Sequence, residues 1–290
     1  MKGIFTLIQL VVLFLSINKE YGILKGQSNS ENAQTLLTER RFFRLISNDF
    51  SSSSRSFSSL LRSPFGYQKN QFTTVAIIVG SGIASYFFID EPLRDWVQGI
   101  HTPFLSDAAT LGDYYGMPYT PLTIGSVLYF AGYANNNAEL RLTGRAVLES
   151  AIYATFFTSV MKIIFSRSRP FLNEGNEKFS WFEFHDSEWS FPSGHSAIAF
   201  ATSSTLSARI GNTYAGIALY GLALWTAFNR VYDDKHWFSD TMIGAAIGTT
   251  IGLAVASFIH SETKPNEPVL FGQSVIMIEP IPIYQFQLRF

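Results

Sequence analysis

From residue 73 onward, apolar residues gather into six stretches: 73–89, 119–134, 145–165, 195–208, 214–229 and 241–259. None alternates apolar and polar as a half-buried strand does, and their lengths suit helices. Each is rich in Ala, Gly, Ser and Thr, small residues that let helix backbones approach closely. Pro118 and Pro121 sit at the start of the second stretch. Polar connections separate them: Asp90 to Pro118, Asn135 to Gly144, Ser166 to Gly194, Arg209 to Thr213, and Arg230 to Asp240. The pattern predicts an all-α fold, a six-helix bundle spanning residues 71–260, without internal repeats.

The flanks read differently. Lys2 precedes an apolar run from Ile4 to Ile17, followed by Asn18, Lys19 and Glu20. A run of that length fits the hydrophobic region of a signal peptide better than a membrane span, so residues 1–22 are expected to be a signal peptide or a retained anchor. Residues 23–70 are polar and broken, a linker with a serine-rich patch from Ser51 to Ser59. Within it Leu36, Leu37, Phe43, Leu45 and Ile46 interleave with Arg40, Arg41 and Arg44, the pattern of an amphipathic helix on a membrane surface or packed on the domain. Pro265, Pro268, Pro280 and Pro282 rule out a long helix beyond His260. Residues 261–290 therefore read as an extended tail whose last residues alternate as a packed strand would.

Composition narrows the class. The chain of 290 residues is 47% hydrophobic and only 15% charged, against about 25% charged in ordinary domains. A net charge of -1 leaves no electrostatic footprint for nucleic acid. The absence of Cys excludes disulfides, thiol nucleophiles and cysteine-ligated metals. Several stretches lie at the short limit of roughly 17–25 residues for a bilayer span, so an embedded bundle and a soluble exported one both remain open.

Three clusters carry chemistry, each at a helix end beside a polar connection. Lys162 and Arg169 are seven residues apart, two helical turns, so both can project from one face of the third helix, with Pro170 as its stop. Two cations at the end of an apolar helix call for an anion. Pro192-Ser193-Gly194-His195 opens the fourth helix, where Ser193 and Gly194 would offer free backbone N–H groups to an oxyanion and His195 could protonate a leaving oxygen. Arg230, His236 and Asp240 lead into the sixth helix. A carboxylate one turn from an imidazole can fix its tautomer and leave the other nitrogen nucleophilic, while Arg230 suits phosphate oxygens. Each cluster alone fits a structural role as well. Together they form the set of cations, amides, nucleophile and acid that phosphoryl transfer needs. No rich carboxylate cluster points to a two-metal phosphatase.

Lys162 to Arg169-Pro170, Pro192 to His195, and Asn229-Arg230 to His236 and Asp240 resemble, in order, the three motifs of the type 2 phosphatidic acid phosphatase and vanadium haloperoxidase superfamily. The resemblance covers about residues 70 to 260, departing at Asn229, where Ser is usual. It implies a helical bundle of that type in which Lys162, Arg169, Ser193, Gly194 and Arg230 hold phosphate. His236 would attack phosphorus, oriented by Asp240, and His195 would protonate the leaving alcohol, with no metal or cofactor. The implied substrate is a phosphorylated lipid, an isoprenoid pyrophosphate or a small phosphate ester. The alternatives are a soluble periplasmic acid phosphatase or a vanadate-dependent haloperoxidase. Tyr232 to Trp237, with the export-like start, is similar to a bacterial cell-envelope branch. That implies an inner-membrane protein with a periplasm-facing site, or a periplasmic one.

Overall fold

The computed structural model describes residues 29–62 and 69–264. The expected leader and nearly all of the expected tail lie outside them. The described residues are all-helical, without a strand. The helices are α1 (Asn29–Arg62), α2 (Lys69–Phe88), α3 (Asp90–Gly99), α4 (Pro103–Gly116), α5 (Tyr119–Ala134), α6 (Ala138–Phe165), α7 (Gly194–Ile210), α8 (Thr213–Tyr232) and α9 (Phe238–Thr263). The six apolar stretches correspond to α2 and α5–α9. The connection from Asp90 to Pro118 is not a loop, because it folds into α3 and α4. The start of α4 is written locally: Thr102 accepts from the Leu105 amide and Pro103 occupies the first turn.

The chain divides into two compact units between Ser51 and Ser52. In the first, the described part of α1 exposes Phe43, Ile46 and Phe50. In the second, the serine-rich patch is helical rather than a linker, and its hydroxyls are used. Ser53 donates to Glu149 at 2.6 Å, and Arg145 donates to Ser52 at 2.8 Å. Arg145 and Glu149 form a buried pair one turn apart on α6.

Helix α7 is the axis of the second unit. It packs against α6, α8 and α9, and α9 also lies against α2 and α6. Every residue from Ser196 to Leu206 is buried, so α7 has no solvated face and cannot be amphipathic. Its polar residues turn inward onto carbonyls: Thr202 donates to Ile198 and Ser204 to Phe200. Ala146, Ala154, Ala197, Ala201, Ile251, Val255 and Ile259 form the core between α6, α7 and α9. Gly211, with φ 66°, terminates α7 in the left-handed conformation that glycine adopts without strain.

The α7–α9 crossing is close because glycine makes it so. A Cβ at Gly248 would lie 2.1 Å from the Ala197 carbonyl oxygen, and one at Gly244 would lie 2.4 Å from that of Ser193. The second contact sets α9 directly against the turn that opens α7. Helices α6 and α9 are each long and apolar enough to cross a membrane. The pair Thr73–Phe88 and Asp90–Gly99, bent by 61°, passes the same test when taken together.

Gly248→Ala should cost at least about 1–3 kcal/mol through overpacking against main chain. Gly221→Ala, where a Cβ would meet nothing within 4 Å, should be neutral or stabilising, given alanine's advantage of about 1 kcal/mol in a helix. Thermal melts of the two variants in one detergent check the contrast.

Candidate active site

Helix α6 ends at Phe165, four residues earlier than the Lys162–Arg169 spacing suggests. Ser166 caps it in the left-handed region, with φ 41°. Arg169 therefore reaches the site from a turn rather than from the helix face, and Pro170 opens a short 3-10 segment instead of stopping α6. Between Lys162 and Arg169 lies Arg167, 1% exposed. Its guanidinium donates to Asp240 at 2.6 Å, Asp90 at 2.9 Å, Ser239 at 2.9 Å and the Asn176 carbonyl at 2.9 Å. It also stacks over the rings of Tyr86, Phe179 and Trp237. A buried charge is tolerable only when paired this fully.

Asp240 is fully buried and fully committed. One oxygen accepts from Arg167; the other accepts from Ser190 Oγ at 2.5 Å and from the Trp237 amide at 2.9 Å, capping α9. The expected hydrogen bond from His236 to Asp240 is not made, since Nδ1 lies 3.9 Å from Oδ2. His236 precedes α9 instead of riding on it, so four-residue helical spacing does not apply. Its Nδ1 bonds the Ser190 main-chain carbonyl at 2.6 Å. A carbonyl only accepts, so Nδ1 carries the hydrogen and Nε2 carries the lone pair.

Ser193 caps α7, accepting from the Ser196 amide. Its own amide is not free, because it donates to the Asp240 carbonyl at 3.0 Å. The amides of Gly194 and His195, in the first turn of α7, have no protein acceptor among the described residues. Gly194 faces the end of Lys162: a Cβ there would sit 3.6 Å from Lys162 Cε, an ordinary contact. Glycine is thus not needed for packing at this position; it keeps the space before the lysine clear.

The cations are oriented and keep donors in reserve. Lys162 Nζ donates to the Trp189 carbonyl. Arg169 bonds Asp186 through Nε and one terminal nitrogen, and the other terminal nitrogen has no acceptor among the described residues. Arg230 directs Nε and the same terminal nitrogen onto Asn229 Oδ1, so the asparagine's carbonyl aims the guanidinium. That terminal nitrogen also contacts Asp233 at 2.9 Å and Asp113 at 2.6 Å. The second terminal nitrogen of Arg230 has no acceptor among the described residues.

Both imidazoles feel this field. Burial, and then Lys162, Arg169, Arg230 and His195, push His236 well below the usual histidine range, so it is a neutral base. Burial, and then Arg230, Lys162 and Arg169, lower His195 to about 3. Burial and the surrounding cations thus disfavour positive charge on either ring, and an anion held among them would restore the balance.

All eight residues singled out in the sequence converge here, at the ends of α6, α7, α8 and α9. Sequence reasoning missed three more. Arg167 was in view within the Lys162–Arg169 run, and a third cation among apolar residues was its signal. Ser190 acts partly through its main chain, which residue type does not reveal. Asp113, on α4, is one carboxylate in a segment taken for a connection, and carried no signal.

The PAP2 superfamily matches residues 144–264. Over 210 residues the chain is 26% identical to "Lipid A 1-phosphatase" of Rhizobium johnstonii, covering 67% of this chain and 81% of that protein. It is 37% identical over 65 residues to "Lipid A 1-phosphatase" of Porphyromonas gingivalis, but that match spans only 15% of the relative and 22% of this chain. Among solved structures, the crystal structure of Aquifex aeolicus LpxE aligns with a TM-score of 0.43 at 21% identity, covering 58% of this chain and 95% of that one.

A histidine whose proton affinity is depressed by folding binds fewer protons native than unfolded. Stability should therefore fall as pH drops from about 6.5 toward the His195 value of about 3. An anion in the site relieves both rings, so saturating orthovanadate should raise the melting temperature more at pH 5 than at pH 8. Melting curves at the two pH values, with and without vanadate, measure it; an equal rise at both would contradict the field described.

Proposed function

We propose that this chain, a member of the PAP2 superfamily, is a phosphoric ester hydrolase that releases phosphate from a lipid through a phosphohistidine on His236. The observation that carries this reading is the His236 Nδ1–Ser190 carbonyl bond, which leaves an Nε2 lone pair beside unbonded donors of two arginines, a lysine and two helix amides. In the first half-reaction Nε2 attacks phosphorus. The P–O bond to the alcohol breaks, its electron pair goes to oxygen, and that oxygen takes a proton from His195. In the second, His195 accepts a proton from water as the water oxygen attacks phosphorus, and the N–P pair returns to His236. Lys162, Arg169, Arg230 and the amides of Gly194 and His195 neutralise the equatorial oxygens, the largest contribution to such a transition state. They supply the charge that a metal supplies elsewhere.

The lipid substrate rests on two supports. Helices α6 and α9 are each long enough to span a bilayer, and both end or begin at the site. The relatives named above are lipid A phosphatases. Helices α2 and α5–α9 are read as the catalytic six-helix bundle, with α3 and α4 folded over its active end. The site faces the outer side of a bacterial inner membrane.

The test is to assay soluble and lipid phosphates in detergent-extracted membranes. His236→Ala should lower kcat on the order of a million-fold, as loss of a covalent nucleophile does, with the fold retained by circular dichroism. EDTA should leave the wild type unaffected. Gly194→Ala should fold normally yet raise KM, because its methyl group enters the space before Lys162. Equal activity of His236→Ala sinks the mechanism, and activity that needs no membrane fraction and ignores lipids sinks the substrate class.

A further inference from the structure

Two glycines one turn apart on α4 bring it unusually close to the site. A Cβ at Gly112 would lie 2.8 Å from the Trp225 carbonyl oxygen of α8. One at Gly116 would lie 2.6 Å from Thr226 and 3.0 Å from His195 Cβ. The Thr226 hydroxyl donates to the Gly112 carbonyl at 2.8 Å and fixes the crossing. Asp113, between these glycines, consequently enters the space between α7 and α8. Its Oδ1 contacts the Arg230 terminal nitrogen at 2.6 Å, outside hydrogen-bond angles, and lies 3.5 Å from His195 Nε2. Asp113 Oδ1 and His195 Nε2 are both buried and both lack a hydrogen bond among the described residues. An acceptor and an imidazole nitrogen that face each other without a bond want one hydrogen between them.

The geometry points to Asp113 as a positioning residue for the proton-transfer step: it holds the Nε2–H of His195, so that Nδ1 exchanges the proton with the leaving oxygen and then with water. This rests on the histidine mechanism above and adds to it a second carboxylate, from an element outside the three sequence motifs. The division of labour is that of any carboxylate–imidazole pair, in which one nitrogen is held while the other does the chemistry. The charged and titratable groups facing His195 are Lys162 from α6, Arg169 from the α6–α7 connection, Arg230 from α8, His236 ahead of α9, and Asp113 from α4. Four of the five are cationic or basic. Asp113 is the anion among them that can stabilise the imidazolium, and Arg230 in turn pins the carboxylate.

A residue that serves protonation of the leaving group matters only when that group needs a proton. Alkoxides leave poorly without one, whereas p-nitrophenolate leaves readily. The experiment compares kcat/KM of Asp113→Asn and wild type on a short-chain alkyl phosphate and on p-nitrophenyl phosphate. General acid catalysis contributes about 100- to 10,000-fold in all. Loss of its positioning group should lower the alkyl value about 10- to 100-fold and the aryl value about threefold at most. The alkaline limb of the alkyl pH profile should move to lower pH, because the imidazolium loses its anion. Vanadate should still raise the melting temperature, which shows a folded site. Should Asp113→Asn fail that check, Asp113→Glu carries the test, and an alkyl-to-aryl ratio unchanged from wild type overturns the inference. Equal losses on both substrates, or none, overturn it as well. His236→Ala separates the two levels. If it is inactive while Asp113→Asn shows no leaving-group dependence, only the role of Asp113 falls. If it is active, the phosphohistidine reading falls first.

Discussion

One buried guanidinium decides where everything else in the site can stand. Arg167 has no water to fall back on, so its donors must be met by protein, and they are met by Asp90 at the start of α3, Ser239 and Asp240 at the start of α9, and the Asn176 carbonyl in the α6–α7 connection. Removing one partner of such a pair costs about 3–5 kcal/mol, because the remaining charge stays buried. That cost welds three separate chain segments into one block. Because Asp240 is tied to Arg167, Ser190 is tied to Asp240, and the Ser190 carbonyl is where the His236 ring hangs.

The second dependence is steric. Charged and titratable groups carried by four helices meet only if the helix backbones come nearer than side chains normally permit. Gly244 and Gly248 on α9 and Gly112 and Gly116 on α4 provide that approach. The rigidity of the resulting contacts matters as much as their closeness. The site orients cations against carbonyls and carboxylates while keeping some of their donors unbonded, which a loosely packed bundle could not hold. Pre-oriented donors need no reorganisation when an anion arrives, and the phosphoryl transfer proposed above would depend on that.

The outline of the helices was legible in the sequence, because the six apolar stretches are long and their small residues mark close packing. The eight residues that converge at one end of the bundle could be singled out too, since their types and order resemble a known set of motifs. What spacing could not supply was conformation at the helix ends. Counting seven residues from Lys162 to Arg169, or four from His236 to Asp240, assumes a continuous helix, yet α6 stops at Phe165 and α9 starts at Phe238. In both cases the residues still meet, but through turns, and their hydrogen bonds go elsewhere. Helices α3 and α4 escaped notice because they are short, 10 and 14 residues, and α3 is polar enough to resemble a connection. Asp113 escaped with them, since its contacts come from tertiary packing that no local pattern encodes.

The tautomer of His236 hangs on a main-chain oxygen, and this has an evolutionary consequence. No replacement of the side chain at position 190 deletes that oxygen, so the acceptor that orients His236 is insulated from point mutation in a way that an aspartate is not. Position 190 is then free to vary in how it tethers Asp240, and hence in how firmly the carbonyl is held, without putting the chemistry itself at risk. A lineage could drift in turnover rate through this residue while its reaction stayed the same.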